Sequence, residues 1–362
     1  MRIRIVLNPS ASRAEYTDRE RVVISRRLAQ EARGEISTWP EYAPTPLRNL
    51  TGIAARLGIG ALYYKDESGR LGQGSFKTLG GAYAATLKLR SLNSEGPATL
   101  CCATDGNHGR SVAFAAQRHG CACVVFMHEH APADKEAAIV ALGARVIRVK
   151  GTYDDSVRHA RKAASERGWV LVADTSEDAY DLTTRHVIQG YGVMVLELIE
   201  QLSGQLMPSH VFVQAGVGGF AAAIAGVLAD TYGAVRPRLI VVEPEAAACV
   251  LESALNGAPS RVGGSLRTAM EMLSTGEASP VAWPVLEQRA DAFIAIEDAA
   301  AVAAVRELSS LDDVPLSVGV SGAAGFAGLT ELLEHPEAAA ILGLRADSRV
   351  LVFGTEQGAA SR

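Results

Sequence analysis

Residues 65–78 read Lys65-Asp66-Glu67-Ser68-Gly69-Arg70-Leu71-Gly72-Gln73-Gly74-Ser75-Phe76-Lys77-Thr78. They lie between a short apolar run, Ala61–Lys65, and a longer amphipathic one, Phe76–Leu89, so a strand leads through a glycine turn into a helix. Gly72 and Gly74 let the backbone take unusual angles and approach a ligand closely. Lys77 falls in the first helical turn, where the positive end of the helix dipole opposes another cation. That placement suits a lysine whose amine must shed its proton, and a depressed pKa is what Schiff-base chemistry needs. The plainer alternative is a surface lysine beside a turn. A Walker A loop is excluded, because Phe76 stands where that motif needs glycine.

The same alternation runs outward along the chain. Further strand patterns fall at Thr99–Ala103, Ala122–Met127, Arg145–Val149, Val170–Val172, Val211–Gln214, Leu239–Val242, Ala292–Ile296 and Val350–Phe353. Helix patterns fall between them at Gly109–Arg118, Asp134–Leu142, Ser156–Arg167, Thr184–Gln201, Phe220–Ala229 and Asp298–Leu308. Strands alternating with helices of this length imply βαβ units and mainly parallel sheets. Nine strands in two groups predict two α/β domains with a cleft between them, the usual place for a small ligand. Surface turns are expected at Ser91–Pro97, Ser203–Ser209 and Asn256–Ser265.

The chain has 362 residues, 48% of them hydrophobic, which is enough for two cores. With 35 Lys+Arg against 40 Asp+Glu the net charge is −5, which argues against nucleic acid as a partner. No apolar run is long enough for a bilayer, and Met1–Tyr16 lacks the pattern of a signal peptide. The five cysteines show neither zinc spacing nor a disulfide framework, so reduced thiols and a cytoplasmic location are expected. His128-Glu129-His130 reads as a surface turn, and no metal site is expected.

Two more strand-to-helix turns carry chemistry. Thr104-Asp105-Gly106-Asn107-His108-Gly109 offers backbone N–H groups at a helix N-terminus, suited to a carboxylate. A carboxyl at Asp105 beside such an anion would have its pKa raised, fitting it for proton transfer. Gln214-Ala215-Gly216-Val217-Gly218-Gly219-Phe220-Ala221 opens an apolar helix and forms a phosphate cradle. It also fits G-x-G-x-x-G/A, with Glu243 at the end of the next strand as a ribose-binding acid. A nicotinamide-dependent oxidoreductase is therefore a reading of a different class.

Taken together, these segments resemble the fold-type-II pyridoxal-phosphate enzymes, and within them the diaminopropionate ammonia-lyase family. The strings that carry the likeness are YAPTPL, KDESGRLGQGSFKTLGGAYA, ATDGNHGRSVAFAA, IQGYGVM, QAGVGGFAAAIAG, VVEPEAAAC and SGAAGFAGL, from about residue 40 onward. The resemblance implies two three-layer α/β domains, residues 1–87 plus 188–362 holding the cofactor and 88–187 forming the smaller unit. It implies pyridoxal 5′-phosphate bound through Lys77 beside Phe76. Asn107 would meet the ring oxygen, Gly216, Val217, Gly218, Gly219 and Phe220 the phosphate, and Thr355 the ring nitrogen. Thr104, Asp105, Gly106, Asn107 and His108 would hold the substrate, a small amino acid. Asp105 and Asp174 would serve with Lys77 in catalysis, one aspartate for each face of 2,3-diaminopropionate.

The implied reaction is α,β-elimination to pyruvate and ammonia in a homodimer. Serine or threonine dehydration and β-replacement are the neighbouring alternatives. The chain departs from the family at Val320, where an acidic residue is usual, and at Gln73-Gly74-Ser75, where Ser75 either adds a phosphate hydrogen bond or, the simpler expectation, caps the helix. Relatives carry a cysteine able to pair with the one in the VEP region. Here Cys249 is present and Thr275 stands at the partner position.

Overall fold

The computed structural model describes residues 3–92, 98–104, 106–176, 178–311 and 315–358. Its strands are β1 (Arg4–Leu7), β2 (Leu47–Asn49), β3 (Ala61–Asp66), β4 (Thr99–Ala103), β5 (Ala122–His128), β6 (Arg145–Val149), β7 (Val170–Leu171), β8 (His210–Gln214), β9 (Arg238–Pro244), β10 (Ala292–Ile296) and β11 (Arg349–Gly354). Its helices are α1 (Asp18–Arg21), α2 (Arg26–Ile36), α3 (Thr51–Leu57), α4 (Lys77–Ser91), α5 (Asn107–His119), α6 (Ala133–Val140), α7 (Tyr153–Arg167), α8 (Leu182–Gln201), α9 (Gly219–Tyr232), α10 (Cys249–Asn256), α11 (Trp283–Arg289), α12 (Asp298–Ser309), α13 (Ala324–Leu333) and α14 (Pro336–Ile341). Of the Ser91–Pro97 turn, residues 93–97 lie outside the described residues.

All nine anticipated strands form. They divide between a sheet ordered β1-β10-β9-β8-β11-β3-β2 and a second ordered β6-β5-β4-β7. The second sheet is wholly parallel. The first is parallel from β10 to β3 and bordered by two antiparallel edges. Those edges, β1 and β2, are the strands that the sequence pattern missed. Both are short and only partly buried; β1 shows just three apolar residues in a row, Ile5–Leu7, and β2 is Leu47-Arg48-Asn49.

Alternation along each central strand builds three layers. Val211 and Val213 of β8 face α8 and α9, whereas Phe212 joins the core beneath α12 and α13. In the smaller sheet Leu100 and Cys102 face α5, and Cys101 packs toward Ala160 of α7. The core on the α4, α5 and α8 side is continuous between the two sheets. Helices α4 and α8 cross in direct backbone contact there. A Cβ on Gly190 would run into the Leu79 carbonyl, and one on Gly80 into that of Val187.

The 65–78 segment is pinned by a buried ion cluster. Lys65 Nζ donates to Glu197 Oε2 at 2.8 Å and to the Thr45 carbonyl at 2.8 Å. The Arg70 guanidinium spans Glu67 Oε2 at 2.7 Å and Glu197 Oε1 at 2.7 Å. Thr45 Oγ1 donates to Glu67 Oε1 at 2.6 Å. The four charged side chains are all but inaccessible to water. Two cations balance two anions, and breaking one buried partner leaves an uncompensated charge. Glu197→Gln is therefore expected to lower the unfolding free energy by about 3–5 kcal/mol. Urea denaturation measures it, and a loss of only a few tenths would show that the cluster is not stabilising.

Candidate active site

Lys77 is the first residue of α4, as its position after the glycine turn requires. That turn is held by the chain just past β11. The Phe76 N–H donates to the Thr355 carbonyl at 3.2 Å, and the Gln357 N–H donates to the Gly74 carbonyl at 2.9 Å. Ser75 pairs through its backbone with Glu356, and α4 starts without a side-chain cap, so the capping expected of Ser75 is not found. Its backbone instead forms an isolated antiparallel bridge to Glu356.

The glycine loop arrives from the other side. The Phe220 ring packs on Phe76, with centroids 4.5 Å apart, and on Phe353 at 5.4 Å. This aromatic cluster brings the N-termini of α4 and α9 to the carboxyl end of β11. Gly218 has φ +98, and a Cβ there would stand 2.9 Å from Leu286, so the turn requires glycine. Beyond it, the first N–H groups of α9, from Gly219 and Phe220, have no carbonyl one turn back and can hold an anion. Val217 is tied by its carbonyl, which accepts from the Ser279 N–H at 2.8 Å, and Gly216 lies against Thr275.

Asn107 opens α5, and its Nδ2 donates to Glu356 Oε2 at 2.8 Å across the cleft. Thr104 Oγ1 accepts from the Gly106 and Gly109 N–H groups at 2.9 and 3.1 Å, so this hydroxyl builds the turn itself. His108 is buried; its Nε2 is 2.9 Å from the Val172 carbonyl and its Nδ1 is 3.9 Å from Asp174. Asp105 lies outside the described residues.

Asp174 stands directly against the lysine, with Lys77 Nζ 2.9 Å from its Oδ2. This corrects the expectation of a depressed lysine pKa. Burial pushes Lys77 down, but Asp174 and Tyr191 facing it hold the amine well above the ordinary lysine value. Burial likewise raises the Asp174 carboxyl, and His108 and Lys77 outweigh it, keeping Asp174 far below the usual carboxylate range. The helix dipole is the weaker influence, because a full charge at hydrogen-bond distance exceeds the half charge of a helix end.

The structure also removes the support for a dinucleotide site. Glu243 is fully buried and accepts the Val250 and Leu251 N–H groups at 2.8 and 2.7 Å, capping α10. Burial pushes this carboxyl up to about 8. It does not face the glycine loop as a ribose acceptor. Cys249 Sγ is 3.8 Å from Thr275 Oγ1, so these two residues do stand opposite each other. Among the described residues, no cluster of three or more His, Cys, Asp or Glu could hold a metal, and no helix is long and apolar enough to cross a membrane.

Sequence reasoning missed three residues. Glu356 and Gln214 flank motif positions, but no pattern marks them as inward-facing. Tyr191 sits in the helix pattern at 184–201, where only the α4 contact brings it near Lys77.

A lysine at a helix start, an anion cradle, a cross-cleft amide and a buried hydroxyl at Thr355 fit a phosphorylated pyridine aldehyde: amine for aldehyde, N–H groups for phosphate, hydroxyl for ring. The family described as pyridoxal-phosphate dependent enzyme matches residues 38–353, and the chain belongs to it. More narrowly, it is 36% identical over 336 residues to the diaminopropionate ammonia-lyase of Escherichia coli (strain K12), covering 87% of this chain and 84% of that one. The crystal structure of the Escherichia coli enzyme with an aminoacrylate–PLP azomethine reaction intermediate superposes with a TM-score of 0.90 at 33% identity, covering 98% of this chain and 94% of that one. The complex of that enzyme with D-serine gives 0.89 at 33% identity and the same coverage.

The lysine–aspartate pair makes a prediction for the cofactor-free protein. Removing the carboxylate in Asp174→Asn should lower the Lys77 pKa by roughly 1–3 pH units. Only the neutral amine combines with an aldehyde, so colour development on adding pyridoxal phosphate should have its pH midpoint displaced downward by that amount. An unchanged midpoint would mean that Asp174 does not govern the amine.

Proposed function

We propose that the chain is a pyridoxal-phosphate-dependent ammonia-lyase that converts 2,3-diaminopropionate and water into pyruvate and two molecules of ammonia. The observation that carries this reading is the Lys77–Asp174 pair in a site of this family's form. When bound, pyridoxal phosphate supplies an aldehyde for the substrate amine and a conjugated ring that takes up the electron pair left at Cα.

The protein's own groups do the rest. Lys77 holds the cofactor through its amine. N–H groups from Gly216 to Phe220 hold the phosphate, Asn107 the ring oxygen and Thr355 the ring nitrogen. The Thr104–His108 turn grips the substrate carboxylate through the N–H groups of Asn107 and His108 at the start of α5, while the Thr104 and Gly106 N–H groups build the turn itself. Asp174, kept ionised, accepts the Cα proton from one face, and Asp105 accepts it from the other. The β-nitrogen leaves as ammonia only from its ammonium form. Lys77, kept protonated beside Asp174, is the acid at hand to maintain it. Residues 88–187 form the smaller domain, which bears Asn107 and Asp174 and closes on the rest. Acceptance of both enantiomers fits the D-serine complex of the Escherichia coli relative.

Pyruvate release from L- and D-2,3-diaminopropionate, with L-serine in parallel, tests the reading. Rapid release from the diamines and little from serine is expected. Asp174→Asn and Asp105→Asn should each abolish turnover of a different enantiomer. Loss of the same enantiomer in both would sink the two-face assignment. Pyruvate from serine alone would move the assignment to a dehydratase.

We also propose a homodimer working in the cytoplasm. Analytical ultracentrifugation of the holoenzyme should give one species of about twice the 38.0 kDa chain mass; a single species at the chain mass would refute it.

A further inference from the structure

Gln214 ends β8 two residues before the glycine loop, and its side chain is buried. Its Nε2 lies 2.9 Å from the Gly322 carbonyl, 3.0 Å from that of Phe353 and 3.4 Å from that of Ser321. Carbonyl oxygens only accept, so the amide must turn its nitrogen toward them. The flipped amide would set oxygen against three oxygens. This orientation is kept although Oε1 finds no donor among the described residues.

The fourth neighbour of Nε2 is Thr355 Oγ1, at 3.0 Å. An amide nitrogen cannot accept, so the hydroxyl accepts there and its own proton points elsewhere. Among the described residues, the Thr355 side chain has no other hydrogen-bond partner. Its backbone carbonyl meanwhile holds the Phe76 N–H, which keeps the residue next to Lys77.

We propose that Gln214 is a positioning residue: it fixes Thr355 as a hydrogen-bond donor to the cofactor's ring nitrogen and so keeps that nitrogen unprotonated. The inference rests on the reading that Thr355 faces the ring nitrogen. The consequence is chemical. An uncharged ring is the weaker electron sink, so elimination of a β-group is favoured over reactions that need a long-lived carbanion. The amide has two hydrogens: one is shared among the backbone carbonyls and fixes the amide, the other meets the Thr355 oxygen and orients the hydroxyl, and the hydroxyl sets the charge of the ring.

The test is ¹⁵N NMR of holoenzyme reconstituted with pyridoxal phosphate labelled at the ring nitrogen. The native protein should give a signal in the unprotonated, hydrogen-bonded range; a pyridinium signal overturns the proposal without any variant. Thr355→Val should move the signal toward free pyridine, and Thr355→Ser should restore it. If Thr355→Val leaves the signal in place, Thr355 does not face the ring nitrogen, and both reading and inference fall. Gln214→Met removes the N–H that the Thr355 oxygen accepts, so the hydroxyl is no longer held as a donor to the ring, and should shift the signal in the same direction as Thr355→Val. Gln214→Glu, whose carboxylate would accept the Thr355 proton, should do likewise and serves if the methionine variant does not yield holoenzyme. A native signal in either Gln214 variant, with a shifted one in Thr355→Val, leaves the Thr355 reading intact and removes Gln214 from the relay.

Discussion

The site depends on four buried charges that must cancel. Lys65, Glu67 and Arg70 come from one short segment and Glu197 from α8, far away in sequence, and none reaches water. Isolated burial of any one would cost several kcal/mol, so the segment is stable only in the arrangement that pairs them all. That arrangement also holds Leu71 at φ +51, a conformation that a non-glycine residue adopts only when its surroundings compel it. The turn that follows delivers Lys77 at the start of α4. Glu197 lies on the same helix as Tyr191, so the cluster and the lysine's surroundings share one rigid support.

Around that support, the reactive groups gather at the carboxyl ends of parallel strands. Asp66 ends β3, Thr104 follows β4, the glycine loop follows β8, and Thr355 follows β11. Ligands of open α/β sheets are generally placed at this end of the strands. Electrostatics then separates the roles. The anion cradle is made of neutral backbone, which suits a phosphate that brings its own charge. The Lys77–Asp174 contact, by contrast, is a formal ion pair. Asn107 and Glu356 join the two sheets directly over the site, and burial favours the neutral form of that carboxyl against the pull of Lys135 and Asn107.

Much of this was legible in the sequence. Central parallel strands are buried on both faces and write continuous apolar runs; seven of the nine strands found lie in sheet interiors, and β6 and β7 are the edges of the smaller sheet. The antiparallel edge β1 writes only Ile5–Leu7, and β2 turns polar after Leu47. Lys77, the glycine loop and the Asn107 turn were legible because glycines between a strand and a helix start mark a turn that leaves backbone N–H groups open to a ligand. The charge state of Lys77 was not, because Asp174 lies 97 residues away and no local pattern records the meeting. The same holds for Glu243. Its spacing from the glycine loop imitated a ribose acceptor, but the side chain turned to the nearer helix, where two N–H groups needed a partner. Gln214 and Glu356 carry their meaning only through atoms contributed by distant strands.

The position of β11 has a consequence for biosynthesis. Arg349–Gly354 is an interior strand, paired with β8 on one side and β3 on the other, and the residues after it brace the lysine turn. A nascent chain that has not yet released residue 354 therefore has two exposed sheet edges where the centre of its larger sheet should be. Such edges are the surfaces on which chains pair wrongly with one another. Completion of the site must also wait, since Thr355 and the partner of Asn107 follow β11. The polypeptide is thus open to mispairing until β11 is inserted, and its site is complete only once that sheet closes.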